Sequence, residues 1–215
     1  MRLYLEVAHS VSLLQVYITI IPGSMICMRI TIQSIVAFLA VTLLATPAGA
    51  QTCRTDTIQK SAPTSRYVLN DNGTVTDKET EITWMRCALG QKWDGHTCTG
   101  KANKYNWKNA VEAVAKVNKE KYGGVSTWRL PYVPELASIV ERQCFDPRVN
   151  QQVFPATPSI AFWTGMEKMG HPEQAYIIDF GAGAASPSKK TYEGPVRLMH
   201  DGPNGPWWEM PKMPE

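Results

Sequence analysis

Histidine is scarce in this 215-residue chain, with four in all. The three beyond residue 50, His96, His171 and His200, form no pair and sit in no nucleophile or metal-binding word. No Cys-x-x-Cys occurs either. The sequence therefore lacks the ligand spacings of a zinc site and any recognisable set of groups for nucleophilic or acid–base catalysis. A surplus of one charge is also missing. With 22 basic against 19 acidic residues and a net charge of +3, the chain has little to spend on a nucleic-acid backbone. No internal repeat is apparent, and long apolar runs are confined to the first fifty residues.

Those fifty residues read as a leader. The stretch 28–50 opens with Arg29, passes through an apolar core over 35–44 and closes with Pro47-Ala48-Gly49-Ala50. A basic start, a short apolar centre and small residues at the end make a secretory signal peptide, with Gln51 as the new N-terminus. A transmembrane helix needs roughly 20 apolar residues, and this core is shorter and ends in helix breakers, so no stable membrane span is expected after cleavage. No cysteine follows Ala50 directly, which argues against a lipid anchor. A second apolar run, 13–21, precedes this signal; the preferred reading is a start codon assigned too early, with Met25 or Met28 as the true start, and the alternative is a long signal with an extended N-terminal region, which leaves the same mature chain.

Beyond residue 50 the chain is one domain's worth of sequence. It keeps four cysteines, Cys53, Cys87, Cys98 and Cys144, and an even count in an exported chain reads as two disulfides. Three pairings exist. Cys87 with Cys98 is favoured because Gly90, Asp94 and Gly95 let the intervening chain turn back, leaving Cys53 for Cys144. The expected compartment is extracytoplasmic: periplasm, cell surface or medium.

Residues 51–65 form a polar lead-in. Short strands are expected at 66–69, 74–76 and 82–85, where β-branched and aromatic residues gather. Asn72-Gly73 marks a type I′ hairpin turn between the first two. Over 106–119 the period becomes helical, with Trp107, Ala110, Val111, Val114 and Val117 on one face and Asn106 as N-cap. A second helix is expected over 133–142, with Pro134 in its first turn. Strands follow at 162–164, 175–180 and 196–199, with a loop at 181–190 and a Pro- and Gly-rich tail over 201–215. Strands, two helices, then strands make a compact α+β domain on a twisted antiparallel sheet.

Several words stand in a familiar order: Asp71-Asn72-Gly73-Thr74-Val75-Thr76-Asp77, Thr83-Trp84-Met85-Arg86-Cys87, Trp128-Arg129-Leu130-Pro131, Glu135-Leu136, Phe162-Trp163-Thr164 and Val196-Arg197-Leu198. Together they resemble the C-terminal domain family of the collagen-like bacterial adhesin Lcl, over about residues 66–200. The resemblance implies a C-type-lectin-like fold and a surface or secreted setting. For the adhesin it implies trimerisation and binding of sulfated glycosaminoglycans, but the collagen-like stalk is absent here.

Within that frame Trp84, Trp107, Trp128, Leu130 and Trp163 read as core, and Arg129 as the partner of a carboxylate such as Glu135. The acidic turn at Asn70, Asp71, Asn72 and Asp77 invites calcium. Val68 stands where an EF-hand loop begins with Asp, so the hairpin reading outweighs the metal, and no metal or cofactor is expected. An enzyme on the fold of formylglycine-generating enzymes would need reactive thiols, which two disulfides would remove. The first helix and its approach carry Lys101, Lys104, Lys108, Lys116, Lys119 and Lys121. With Lys189, Lys190 and Tyr192, and the tail pair Trp207-Trp208, these are the candidate contacts for a sulfated or anionic glycan, or for an envelope protein. The expected role is a non-catalytic binding or adhesion module. The alternative is a structural or accessory subunit of an envelope assembly, and an enzyme on the same fold is the weakest reading.

Overall fold

The computed structural model describes residues 15–21, 24–29 and 51–203. Near the N-terminus, β1 (Gln15–Ile21) and β2 (Ser24–Arg29) pair antiparallel, Gln15 opposite Arg29. This hairpin belongs to a unit of its own. The signal-peptide core expected at 35–44, its closing segment to Ala50 and the tail beyond Pro203 lie outside the described residues.

The second unit begins at the lead-in, where β3 (Thr52–Cys53) pairs across the chain with a later strand. Next come β4 (Tyr67–Leu69), β5 (Thr74–Asp77) and β6 (Thr83–Met85), the three strands expected from β-branched and aromatic content. The turn between β4 and β5 differs from the type I′ expectation, since only Gly73 takes a positive φ, +79°. Asn72 instead folds its side chain over the turn, and Oδ1 accepts from the Thr74 amide at 3.2 Å and hydroxyl at 2.7 Å. An Asx side chain thus replaces the second left-handed residue. A ribbon of β7 (Lys92–Trp93) and β8 (Cys98–Thr99) follows.

Helix α1 (Trp107–Glu120) starts as its sequence predicts: the Asn106 side chain accepts from the Asn109 amide at 2.9 Å. It ends where Lys121 turns left-handed at φ +50°. Within its last turn Asn118 both donates to and accepts from the backbone of Trp128, at 2.9 and 2.7 Å. Ala110 is buried and Trp107, Val114 and Val117 are half-buried, but Val111 is 43% exposed, so the apolar face is narrower than its periodicity indicates.

Helix α2 (Val133–Ser138) stops short of the expected residue 142. The Ser138 hydroxyl donates back to the Glu135 carbonyl, and Val140 leaves the helix to bridge Val149. Glu141 is needed elsewhere, as acceptor for the lead-in. Beyond it, β9 (Cys144–Phe145) pairs with β3, with Cys53 opposite Cys144.

The long hairpin of β10 (Ala161–Lys168) and β11 (His171–Asp179) extends into β12 (Ala184–Lys189), where a loop was expected. The Asp179 carboxylate accepts from the Gly181 amide at 2.7 Å, and Gly183 at φ +72° turns the chain back onto β11. Pro187 is tolerated because β12 lies at the edge of its sheet. Finally β13 (Met199–His200) joins β6, a shorter strand than the expected 196–199. The order is β10-β11-β12 in one sheet and β13-β6-β5-β4 in another, with the two ribbons beside them. This is a mixed, sheet-rich α+β fold.

Two apolar clusters fill it. One gathers Trp84, Leu136, Ile139, Phe154, Phe162 and Phe180. The other gathers Met85, Trp128, Leu130, Trp163 and Leu198, with the inner face of α1 against them. The disulfides pair Cys53 with Cys144 and Cys87 with Cys98, 91 and 11 residues apart.

Candidate functional site

The strongest sequence word, Trp128-Arg129-Leu130-Pro131, packs into the fold. Trp128, Leu130 and Pro131 are buried, and the Trp128 indole N–H donates to the Tyr122 carbonyl at 3.0 Å. Arg129 grips Glu135 through both terminal nitrogens at 2.8 and 2.6 Å, and Asp201 at 2.9 and 2.5 Å. Glu135 also accepts from the Tyr132 amide at the start of α2. A fully buried carboxylate thus holds helix start, arginine and C-terminal strand together. Trp84 and Trp163 are likewise wholly buried. Trp107 is half-buried and donates to the Thr164 carbonyl at 3.0 Å.

In the turn that invited calcium, three of the side chains are spent internally. Asn70 donates to Thr74 and Thr76, Asn72 donates to the Gly123 carbonyl, and Asp77 is paired with Arg66. Among the described residues no cluster of three metal-ligating side chains occurs.

The lysines expected to contact a ligand divide. Lys104, Lys108, Lys116 and Lys119 are exposed along α1 and its approach. Two of them form only loose pairs, Lys108 with Glu112 at 3.8 Å and Lys116 with Glu120 at 4.0 Å. Lys190 is committed, with its ammonium 2.6 Å from Glu167 and over the Trp107 ring at 4.3 Å. Lys189 is exposed on edge strand β12, and Trp207 and Trp208 lie outside the described residues.

Beside the helix lies a groove of about 350 Å³. One wall is the helix face bearing Ala113, Lys116, Val117 and Glu120. The other is the chain from Cys87 to Lys92, with Met85, Asn103, Tyr105 and Tyr122 completing it. The 11-residue disulfide closes the loop that carries this second wall. Leu89 is fixed by backbone hydrogen bonds, its amide to the Val196 carbonyl and its carbonyl from the Asn103 amide.

Two guanidiniums lie next to Met85 at the start of this wall, and among the described residues carbonyl or hydroxyl oxygens, not carboxylates, receive their hydrogen bonds. Arg86 donates to the Val153 and Gln152 carbonyls at 2.9 and 2.8 Å and stacks on Trp93 at 4.1 Å. Arg197, wholly buried, donates to the Met85 and Arg86 carbonyls and to the Thr157 hydroxyl, and its Nε has no partner among the described residues. Burial pushes the Arg197 guanidinium down to about 9, and the neighbouring Arg86 cation pushes the same way. It remains protonated at neutral pH. Burial also raises the Tyr122 phenol, against the pull of both arginines.

The groove escaped sequence reasoning because its walls come from three separated segments. The words holding Arg86 and Arg197 were visible, but nothing in them shows that the two cations would meet without an acid. A second hollow, of about 330 Å³, lies along 55–60 and Gln143 on the lead-in side.

The family model described as the Lcl C-terminal domain matches residues 73–200, more than half of the chain. That span contains α1, the groove and the short disulfide. No curated protein matches the chain.

Proposed function

The chain belongs to the Lcl C-terminal domain family, and from that premise we propose that it works as an extracytoplasmic, adhesin-type binding module without catalytic chemistry. Its ligand on this reading is a sulfated or otherwise anionic glycan, met by the lysines of α1. The carrying observation is the row of exposed ammonium groups at Lys104, Lys108, Lys116 and Lys119. Surface ion pairs are worth roughly 0–1 kcal/mol, so the loose contacts to Glu112 and Glu120 give way readily to a sulfate. Two further observations support the setting and the absence of thiol chemistry: both disulfides are closed, and all four cysteines beyond residue 50 are used in them.

Retention on a heparin column is the test. The protein should elute late and move earlier as salt rises, because screening weakens contacts between exposed charges. Replacing Lys104, Lys108, Lys116 and Lys119 together by alanine should abolish retention. Salt-independent flow-through of the unaltered protein, together with stoichiometric recovery in an envelope complex, would instead assign it a structural role.

A further inference from the structure

We propose that the groove between α1 and the 87–92 wall is a docking site for a protein partner, entered by a segment carrying a large apolar side chain next to a carboxylate. This second surface shares Lys116 alone with the lysine row, and it does not rest on the glycan reading.

The groove's chemistry suits such a segment and suits a sugar poorly. Its lining includes Met85, Ala88, Leu89 and Val117 together with two tyrosines. A glycan presents hydroxyls, which need free donors and acceptors, yet the polar groups here are largely committed. The Tyr105 hydroxyl receives Asn103 Nδ2 at 3.1 Å, and the Tyr122 hydroxyl faces the Gly73 carbonyl at 3.4 Å. Gln91 accepts from the Ala88 amide and donates to the Ala156 carbonyl, at 3.0 and 2.9 Å. Burying hydroxyls against this lining would strand them, whereas an apolar side chain gains the area it covers.

Charge decides the second half of the proposal. Among the described residues the rim carries Lys92 and Lys116 with one carboxylate, Glu120, which pairs loosely with Lys116 at 4.0 Å. Next to Met85, Arg86 and Arg197 add two cations whose hydrogen bonds among the described residues go to neutral oxygens. Because Lys116 is already paired with Glu120, a carboxylate arriving at the rim is drawn chiefly by Lys92, with Arg86 and Arg197 adding to the positive field. A lysine-bearing segment is repelled, so the groove discriminates by sign as well as by shape.

The test uses the disulfide-closed protein on an array of octapeptides that combine Leu, Phe or Trp with a neighbouring Glu or Lys. Peptides pairing an aromatic or leucine with Glu should bind saturably, and their Lys counterparts at least tenfold more weakly. Lys92→Glu, a change at an exposed position, should weaken binding at least tenfold. Ala113→Phe, which fills the groove from the helix side, should abolish it, with the near-ultraviolet dichroism of both variants unchanged. Replacing Lys104, Lys108 and Lys119 should leave peptide binding intact while heparin retention falls. A blank array, indifference to the Glu-to-Lys exchange, or full binding to the two groove variants would overturn the proposal.

Discussion

The two disulfides hold regions built on opposite plans. Around Cys53–Cys144 a set of polar side chains clamps the lead-in to the body. Glu141 accepts from the Ser61, Ala62 and Gln143 amides at 3.0, 2.9 and 2.9 Å. Gln51 donates to the Val149 carbonyl at 2.6 Å, Asn150 to the Ala62 carbonyl at 2.9 Å and Gln143 to the Ile58 carbonyl at 2.7 Å. Around Cys87–Cys98 the ribbon has two residue pairs, and the neighbouring helix leaves its lysines in solvent. One region spends its chemistry on holding the chain. The other leaves cations and apolar surface exposed beside a fixed wall, as a binding surface requires.

Removing the long closure should break this contrast most severely. On the chain-entropy model a loop of 91 residues is worth roughly 4–5 kcal/mol, so the Cys53→Ser, Cys144→Ser pair should lose about that much in urea unfolding. Arg129 joins neither region but ties α2 to the C-terminal strand. Arg129→Ala strands the buried Glu135 carboxylate and should cost about 3–5 kcal/mol in the same assay. The shorter closure of 11 residues is worth roughly 3 kcal/mol. Its loss through Cys87→Ser with Cys98→Ser should also loosen the groove wall, read as faster amide exchange over 87–98. Glu141→Gln turns a donor toward amides that need an acceptor and should cost roughly 1–3 kcal/mol, with faster exchange confined to the lead-in. The four alanine changes at Lys104, Lys108, Lys116 and Lys119 should stay within about 0.5 kcal/mol each while heparin retention is lost. An equal stability loss from the lysine changes and from Glu141→Gln would erase the distinction between the regions.

The clamp and the groove were unequally legible in the sequence. Disulfide pairing, the Asn106 cap, the core tryptophans and the Arg129–Glu135 pair followed from local rules, because each depends on spacing or on residue type near its partner. Glu141 and β12 did not. Glu141 looked like the exposed end of a helix until the fold set it opposite Ser61, 80 residues away. The small residues of β12 carry weak strand preference, and only the turn at Asp179 and Gly183 brings them onto β11. The groove was hidden for the same reason: Leu89, Tyr105 and Val117 become neighbours only through tertiary packing.

Hydrogen exchange across the whole domain, measured with and without a heparin tetrasaccharide, tests the placement of the binding face most directly. Slowed exchange is expected in α1 and in the approach around residues 101–105, with the lead-in and the segment 141–150 unchanged. Protection centred on the Cys53–Cys144 clamp, or no protection anywhere at saturating ligand, would contradict it.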